Sequence, residues 1–124
     1  MFVKALRATL GQLIVLGDAV TRPRPQTRSA QGQADVQAQA SRLALYQFEA
    51  CPFCVKTRRA MHRLNVPIAL RDAKNDPQAR AELQTGGGRV KVPCLRIEEA
   101  GGTRWMYESN DIIAYLDKRF GAIA

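Results

Sequence analysis

Two of the three cysteines in the chain, Cys51 and Cys54, are spaced as Cys-Pro-Phe-Cys. Thiols three residues apart can open and close a small disulfide ring, or they can supply half of a zinc site. A zinc site needs two further ligands. The rest of the chain offers Cys94 and His62, and His62 falls on the same predicted helix as Cys54. A zinc-binding pair is usually followed by a second C-x-x-C or by an H-x-x-x-H. Redox chemistry is therefore the stronger reading, and no metal is expected. In that chemistry a thiolate at the start of a helix faces the positive end of the macrodipole and several unpaired N–H groups. Cys51, first in the motif, is the expected nucleophile. Cys54, one turn further on and deeper, is the expected resolving thiol, placed to attack a mixed disulfide on Cys51.

The elements that must hold this pair are legible on both sides of it. Leu43 to Phe48 is a short apolar, partly aromatic run that suits a buried strand, and Glu49 and Ala50 make a turn. Pro52 sits where a first helical turn tolerates proline. Val55, Met61 and Leu64 continue as an amphipathic helix as far as Asn65, and Val66 to Leu70 reads as a second strand, completing a βαβ unit. Asp76 caps a second helix with Pro77 at its first position, running to about Gln84 and ended by Gly86-Gly87-Gly88. Cys94 to Glu98 and Thr103 to Tyr107 form a hairpin around Gly101-Gly102. Ser109 or Asn110 opens a last helix with Ile112, Ile113, Tyr115, Leu116 and Phe120 on its apolar face. The order is β-α-β-α-β-β-α.

With 124 residues the chain can bury a core without disulfide staples, and an odd number of cysteines argues against a disulfide framework. The net charge of +8 is shared evenly: residues 1–43 hold six basic and two acidic groups, residues 44–124 thirteen and nine. A basic surface suits nucleic acid, anionic lipid or acidic small molecules. No zinc finger, RNA-binding aromatic signature or basic-region heptad is present, so nucleic acid is not expected as a partner. Residues 1–20 place Phe2, Leu6, Leu10, Leu13, Leu16 and Val20 on one helical face. The uncharged run from Ala8 to Gly17 is shorter than the roughly 20 residues a membrane span needs. An interfacial helix, with Lys4, Arg7, Arg22, Arg24 and Arg28 facing anionic headgroups, competes with a helix docked on the domain or a partner. A secretory signal is the third reading, without a convincing cleavage site. Residues 21–42, with Pro23 and Pro25 and a run rich in Gln and Ala, read as a linker in which Ala34 to Ser41 can form a polar turn or two.

The element order, with Cys51-Pro52-Phe53-Cys54 after the first strand and Val92-Pro93 just before the third, resembles the glutaredoxins, a branch of the thioredoxin fold. The resemblance runs from about Leu43 to Phe120. It includes Lys91-Val92-Pro93, similar to the T-V-P whose proline is cis in that family. The run Tyr107-Glu108-Ser109-Asn110-Asp111-Ile112-Ile113 is closer to the N-terminal domain of glutathione transferases. The resemblance implies an α/β, thioredoxin-like glutaredoxin fold over residues 43–124, a four-stranded mixed sheet with flanking helices, preceded by the N-terminal helical extension. It implies glutathione as co-substrate and disulfide-containing or glutathionylated proteins as partners, with Cys51 and Cys54 catalytic. Phe53, Lys91, Val92, Pro93, Glu108 and Ser109 would form the glutathione site: Val92 through its backbone, Glu108 on the ammonium, Ser109 on a carboxylate at the helix start.

Two departures stand out. Lys91 replaces the usual threonine and is expected to meet the glycyl carboxylate. The lysine that many members place just ahead of the motif is absent from Phe48-Glu49-Ala50, leaving Lys56, Arg58, Arg89 and Lys91 as candidate clamps. Cys94 is expected to pack as a small hydrophobe, and Trp105 to serve packing. The function so read is glutathione-dependent reduction of disulfides and protein–glutathione mixed disulfides. The alternatives are a non-catalytic glutathione-binding or adaptor domain, and an iron–sulfur carrier, against which Pro52 argues. A dependence on glutathione points to the cytoplasm, with residues 2–20 as a route to peripheral membrane contact.

Overall fold

The structure, a computed structural model, describes residues 11–17 and 23–124. Most of the amphipathic face expected over residues 1–20 (Phe2, Leu6, Leu10 and Val20) lies outside the described residues. Residues 11–17 are helical, and among the described residues no helix is long and apolar enough to cross a membrane.

Helix α1 (Ala30–Ala40) leads into strand β1 (Leu43–Gln47), then helix α2 (Pro52–Leu64), strand β2 (Ala69–Asp72) and the short helix α3 (Pro77–Glu82). A π-helical turn, Leu83–Gly87, extends α3, and strands β3 (Cys94–Glu99) and β4 (Gly102–Tyr107) and helix α4 (Ser109–Phe120) follow. The four strands make one mixed sheet in the order β2-β1-β3-β4, with β1 parallel to β2 and antiparallel to β3. All five residues of β1 are buried, as a central strand covered on both faces requires. Alternation sends Leu43 and Leu45 to one face, where they meet Met61, Leu64, Ile112 and Leu116 from α2 and α4. Ala44 and Tyr46 face the other way, onto Ala73, Ala79, Leu83 and Cys94. This is the α/β, thioredoxin-like arrangement expected from the element order, a four-stranded mixed sheet with flanking helices.

Strand β2 starts at Ala69, three residues later than the apolar run predicts. Val66 and Ile68 are buried in the main core, but they get there from the connection rather than from the ladder. Pro67, between them, has no N–H to give to a strand pair. Their hydrophobicity therefore marks burial, not pairing.

The second difference lies in the stretch read as a spacer. Residues 30–40 form three helical turns, capped by the Ser29 hydroxyl accepting from the Gly32 N–H, and Val36 and Ala40 are buried in the core. The residues just ahead of α1 are tied down as well. Arg28 donates from Nε to the Ile123 carbonyl at 2.9 Å, from Nη2 to the Phe120 carbonyl at 2.9 Å, and from Nη1 to the Asn65 carbonyl at 3.5 Å. These carbonyls lie at the C-terminal ends of α4 and α2, where helices leave acceptors unpaired and favour a cation. The Gln26 N–H adds a bond to the Arg63 carbonyl at 2.8 Å. Gly32 is required where it stands, since a Cβ there would lie 2.0 Å from the Ala124 carbonyl oxygen. Residues 26–40 are thus packed against the sheet domain.

Replacing Arg28 with alanine leaves several helix-end carbonyls short of a partner and removes a charge placed to favour them. We expect Arg28→Ala to lower unfolding free energy by about 2 kcal/mol in urea denaturation. Arg24→Ala, at an exposed position, should change it by less than about 0.5 kcal/mol. Equal effects would mean that Arg28 is no more than a surface charge.

Candidate functional site

Cys51 is the N-cap of α2, with extended backbone (φ −70°, ψ 125°), and Pro52 takes the first helical position as its sequence suggests. The Cys51 N–H donates to the Phe48 carbonyl at 3.3 Å and its carbonyl accepts from the Val55 N–H at 2.9 Å, so the backbone is held on both sides of a partly exposed thiol. From the second turn of α2 the Arg58 guanidinium reaches back, donating to the Gln47 side chain and, at 2.7 Å, to the Glu49 carbonyl. Thr57, also buried, donates from its hydroxyl to the Phe53 carbonyl at 2.9 Å.

Cys54 is fully buried, and its thiol is in hydrogen-bonding contact with Cys51 and with the Phe48 backbone. Burial pushes its pKa up to about 12, and the neighbouring Cys51 adds to the rise. The two thiols therefore differ sharply in environment: Cys51 meets solvent, and Cys54 waits beneath it with its proton.

A cavity of about 490 Å³ opens beside the motif, lined by Phe53, Lys91, Val92, Pro93, Glu108, Ser109, Asn110 and Asp111. All six residues singled out for ligand binding share it; Cys51 is not among the lining residues. The Val92–Pro93 bond is cis. Among the described residues no backbone hydrogen bond engages Val92, which leaves its N–H and carbonyl for a ligand. Ser109 is the first residue of α4 and is buried. Glu108 precedes it at φ 73°, a left-handed conformation rare for a residue with a side chain.

Lys91, expected to meet a ligand carboxylate, is paired within the protein: its Nζ is 2.6 Å from Glu108 Oε1, and both residues line the cavity. Lys91, the nearest of the causes, holds the Glu108 carboxyl below its usual range. Of the other candidate cations, Lys56 donates to Asn110 Oδ1 at 2.5 Å, Arg58 is spent on the turn before Cys51, and Arg89 lies over the Tyr107 ring at 4.6 Å. None of those three lines the cavity. Asn110 and Asp111, which sequence reasoning passed over, do line it. Their only signal was their place in the first turn of a helix.

Cys94 is fully buried on the opposite face of the sheet, in contact with the Tyr107 hydroxyl, and burial pushes its pKa up to about 11. Trp105 packs on Tyr46 with ring centres 5.3 Å apart. His62 is half-buried on α2, away from the cavity lining. Among the described residues no three His, Cys, Asp or Glu side chains gather as a metal site.

Residues 43–100 match the family model described as Glutaredoxin. Glutaredoxin 2 of Escherichia coli (strain K12) is 36% identical over 80 residues, which are 64% of this chain and 34% of that protein. Prostaglandin E synthase 2 of Mus musculus is 32% identical over 74 residues, 60% of this chain and 18% of that protein. The chain therefore spans about a third or less of the length of these curated relatives. Among solved structures, maleylacetoacetate isomerase from Anaeromyxobacter dehalogenans 2CP-1, with GSH bound in its active site, aligns with a TM-score of 0.50 at 23% identity, over 66% of this chain and 39% of that one. That likeness is one of fold.

The raised pKa of Cys54 carries a sign that can be checked. Below its pKa the thiolate fraction grows about tenfold per pH unit, so alkylation of Cys54 by iodoacetamide should rise by about that factor per unit from pH 7 to pH 9. Mass mapping of the Cys54 site gives the rate. A rise of only about threefold between pH 8 and pH 9 would show an ordinary, solvent-exposed thiol with a pKa near 8.5.

Proposed function

We propose, from the match of residues 43–100 to the Glutaredoxin family model, that the chain is a glutathione-dependent thiol–disulfide oxidoreductase. Its substrates are disulfides and protein–glutathione mixed disulfides, with Cys51 as nucleophile and Cys54 as resolving thiol. The observation that carries this reading is the pairing of a partly exposed Cys51 at a helix N-cap with a buried Cys54 in contact with it.

The steps balance as thiol–disulfide exchange. The Cys51 thiolate attacks the glutathione sulfur of a protein–glutathione disulfide; a sulfur–sulfur bond forms on Cys51, the old one breaks, and the protein leaves as a thiolate that takes up a proton. A second glutathione thiolate then attacks the glutathionyl sulfur on Cys51. Glutathione disulfide departs and the Cys51 thiolate returns. In the alternative branch Cys54, once deprotonated, attacks Cys51 sulfur, closing the Cys51–Cys54 disulfide and releasing glutathione; two glutathiones then reduce the ring. Burial makes that deprotonation costly at neutral pH, which favours the first branch.

In the cavity, the Val92 backbone would pair with the cysteinyl part of glutathione as an added strand does. Ser109, at the start of a helix of three turns, would take the γ-glutamyl carboxylate with its hydroxyl and N–H. Glu108 would take the ammonium. The Lys91–Glu108 pair gives this step its economy: the ligand's ammonium replaces the Lys91 cation on Glu108, and the freed Lys91 turns to a ligand carboxylate. No charge is left without a partner.

In a glutathione-coupled assay on a glutathionylated peptide, Cys51→Ser should fall to background, whereas Cys54→Ser should keep at least half of the wild-type turnover. Loss of activity in both variants would reassign the catalytic route to the dithiol. Activity in both would remove Cys51 from its role.

A further inference from the structure

The helical residues 11–17 approach the motif from the side of Ala50. Gly11 is buried, and a Cβ built on it would lie 2.8 Å from Ala50 Cβ, closer than two side-chain carbons can come. Ala50 is the residue immediately before Cys51. Consecutive Cα atoms are 3.8 Å apart, and an α-helix with its side chains is roughly 10–12 Å across. A helix seated on Ala50 through a glycine therefore lies within one residue of Cys51, close enough for its width to shield that position. The lining of the cavity includes no residue from 11–17. The two sides of the motif are unequal: the cavity opens on the Phe53 and Pro93 side, and Gly11 lies against the Ala50 side.

We propose that residues 11–17 act as a lid over Cys51 that excludes bulky disulfides while leaving small-molecule exchange through the cavity side. The seat is shallow. Leu13 and Leu16 are 57% and 60% exposed, while Ile14 and Val15 are half-buried, so only part of the apolar surface of residues 11–17 is spent on the domain. A segment that leaves both leucines largely in solvent opens at a lower free-energy cost than one packed on all of its apolar side chains. Glycine at position 11 is what allows closure, because any larger residue must lift the helix off Ala50.

The inference rests on the reading of Cys51 as the reacting thiol, but its test does not use turnover. Cys51 in the full chain is modified either with N-ethylmaleimide or with a maleimide carried on a long poly(ethylene glycol) chain, and both rates are normalised to a free-cysteine peptide. A lid shut about nine-tenths of the time slows the polymer reagent about tenfold relative to the small one. Gly11→Leu should remove that difference, and Gly11→Ala should fall between. Cys54 and Cys94 are buried and report the fold, since a variant that unfolds would expose them to N-ethylmaleimide. No discrimination by reagent size in the wild type, or the same discrimination in wild type and Gly11→Leu with both buried thiols protected, would overturn the lid. Turnover of a small glutathione mixed disulfide, measured in parallel on the wild type, separates the two readings. Its absence would count against the proposed function and leave the alkylation result to judge the lid.

Discussion

Arg58 reaches back along α2 to the Gln47 side chain and the Glu49 carbonyl, and the geometry of both thiols depends on that clamp. Gln47 ends the central strand, and Glu49 and Ala50 form the turn before Cys51. With the turn fixed to the helix it introduces, Cys51 has only the N-cap position open to it, and Cys54 must point inward one turn later. A hydrogen bond from a guanidinium to neutral acceptors is charge-assisted and stronger than its neutral counterpart. Here it also fixes the φ and ψ of the link between strand and helix, without which the thiols would share a sequence motif but not an environment.

The second face of the sheet supports the other wall of the site. Tyr46 is fully buried, yet its hydroxyl is satisfied: it donates to Glu82 Oε1 at 2.8 Å and accepts from Arg96 Nη1 at 2.8 Å, while Arg71 Nη2 meets the same Glu82 oxygen at 2.7 Å. This network ties α3 to the central and edge strands. The π-helical turn after it then brings Gly87 close under the Tyr107 hydroxyl, which donates to the Arg89 carbonyl at 2.8 Å. A Cβ on Gly87 would lie 2.2 Å from that hydroxyl, so glycine is needed for the loop to lie flat. Loop 88–93 is thereby pinned at Arg89, and Lys91 and Val92 are delivered to the cavity from a rigid base.

Much of this was legible in the residues. The Cys51/Cys54 spacing, the apolar run before it, the Asp76-Pro77 helix start and the hairpin around Gly101-Gly102 each express a local rule, and the structure follows them. What escaped depended on partners distant in sequence. Val66 and Ile68 are as hydrophobic as strand residues, and only the pairing of Ala44 with Ala69 shows that they pack without joining the ladder. Helix α1 has a weak apolar stripe, because Val36 and Ala40 are enough to dock it once Arg28 has anchored its start. The Lys91–Glu108 pair joins positions 17 residues apart, and no periodicity announces it. The seat of Gly11 on Ala50 is likewise invisible until the two segments meet.

On this reading the first attack falls to Cys51 and to neither buried cysteine, Cys54 entering only afterwards to resolve the mixed disulfide. The most direct test incubates the full chain with a small excess of oxidised glutathione near neutral pH, quenches with acid at short times, and maps the modified peptides by mass spectrometry. Glutathione should appear on Cys51 at the earliest time, followed by a Cys51–Cys54 disulfide, with Cys94 unmodified throughout. Glutathione appearing first on Cys54 or Cys94, or no adduct on Cys51 while another thiol reacts, would contradict it.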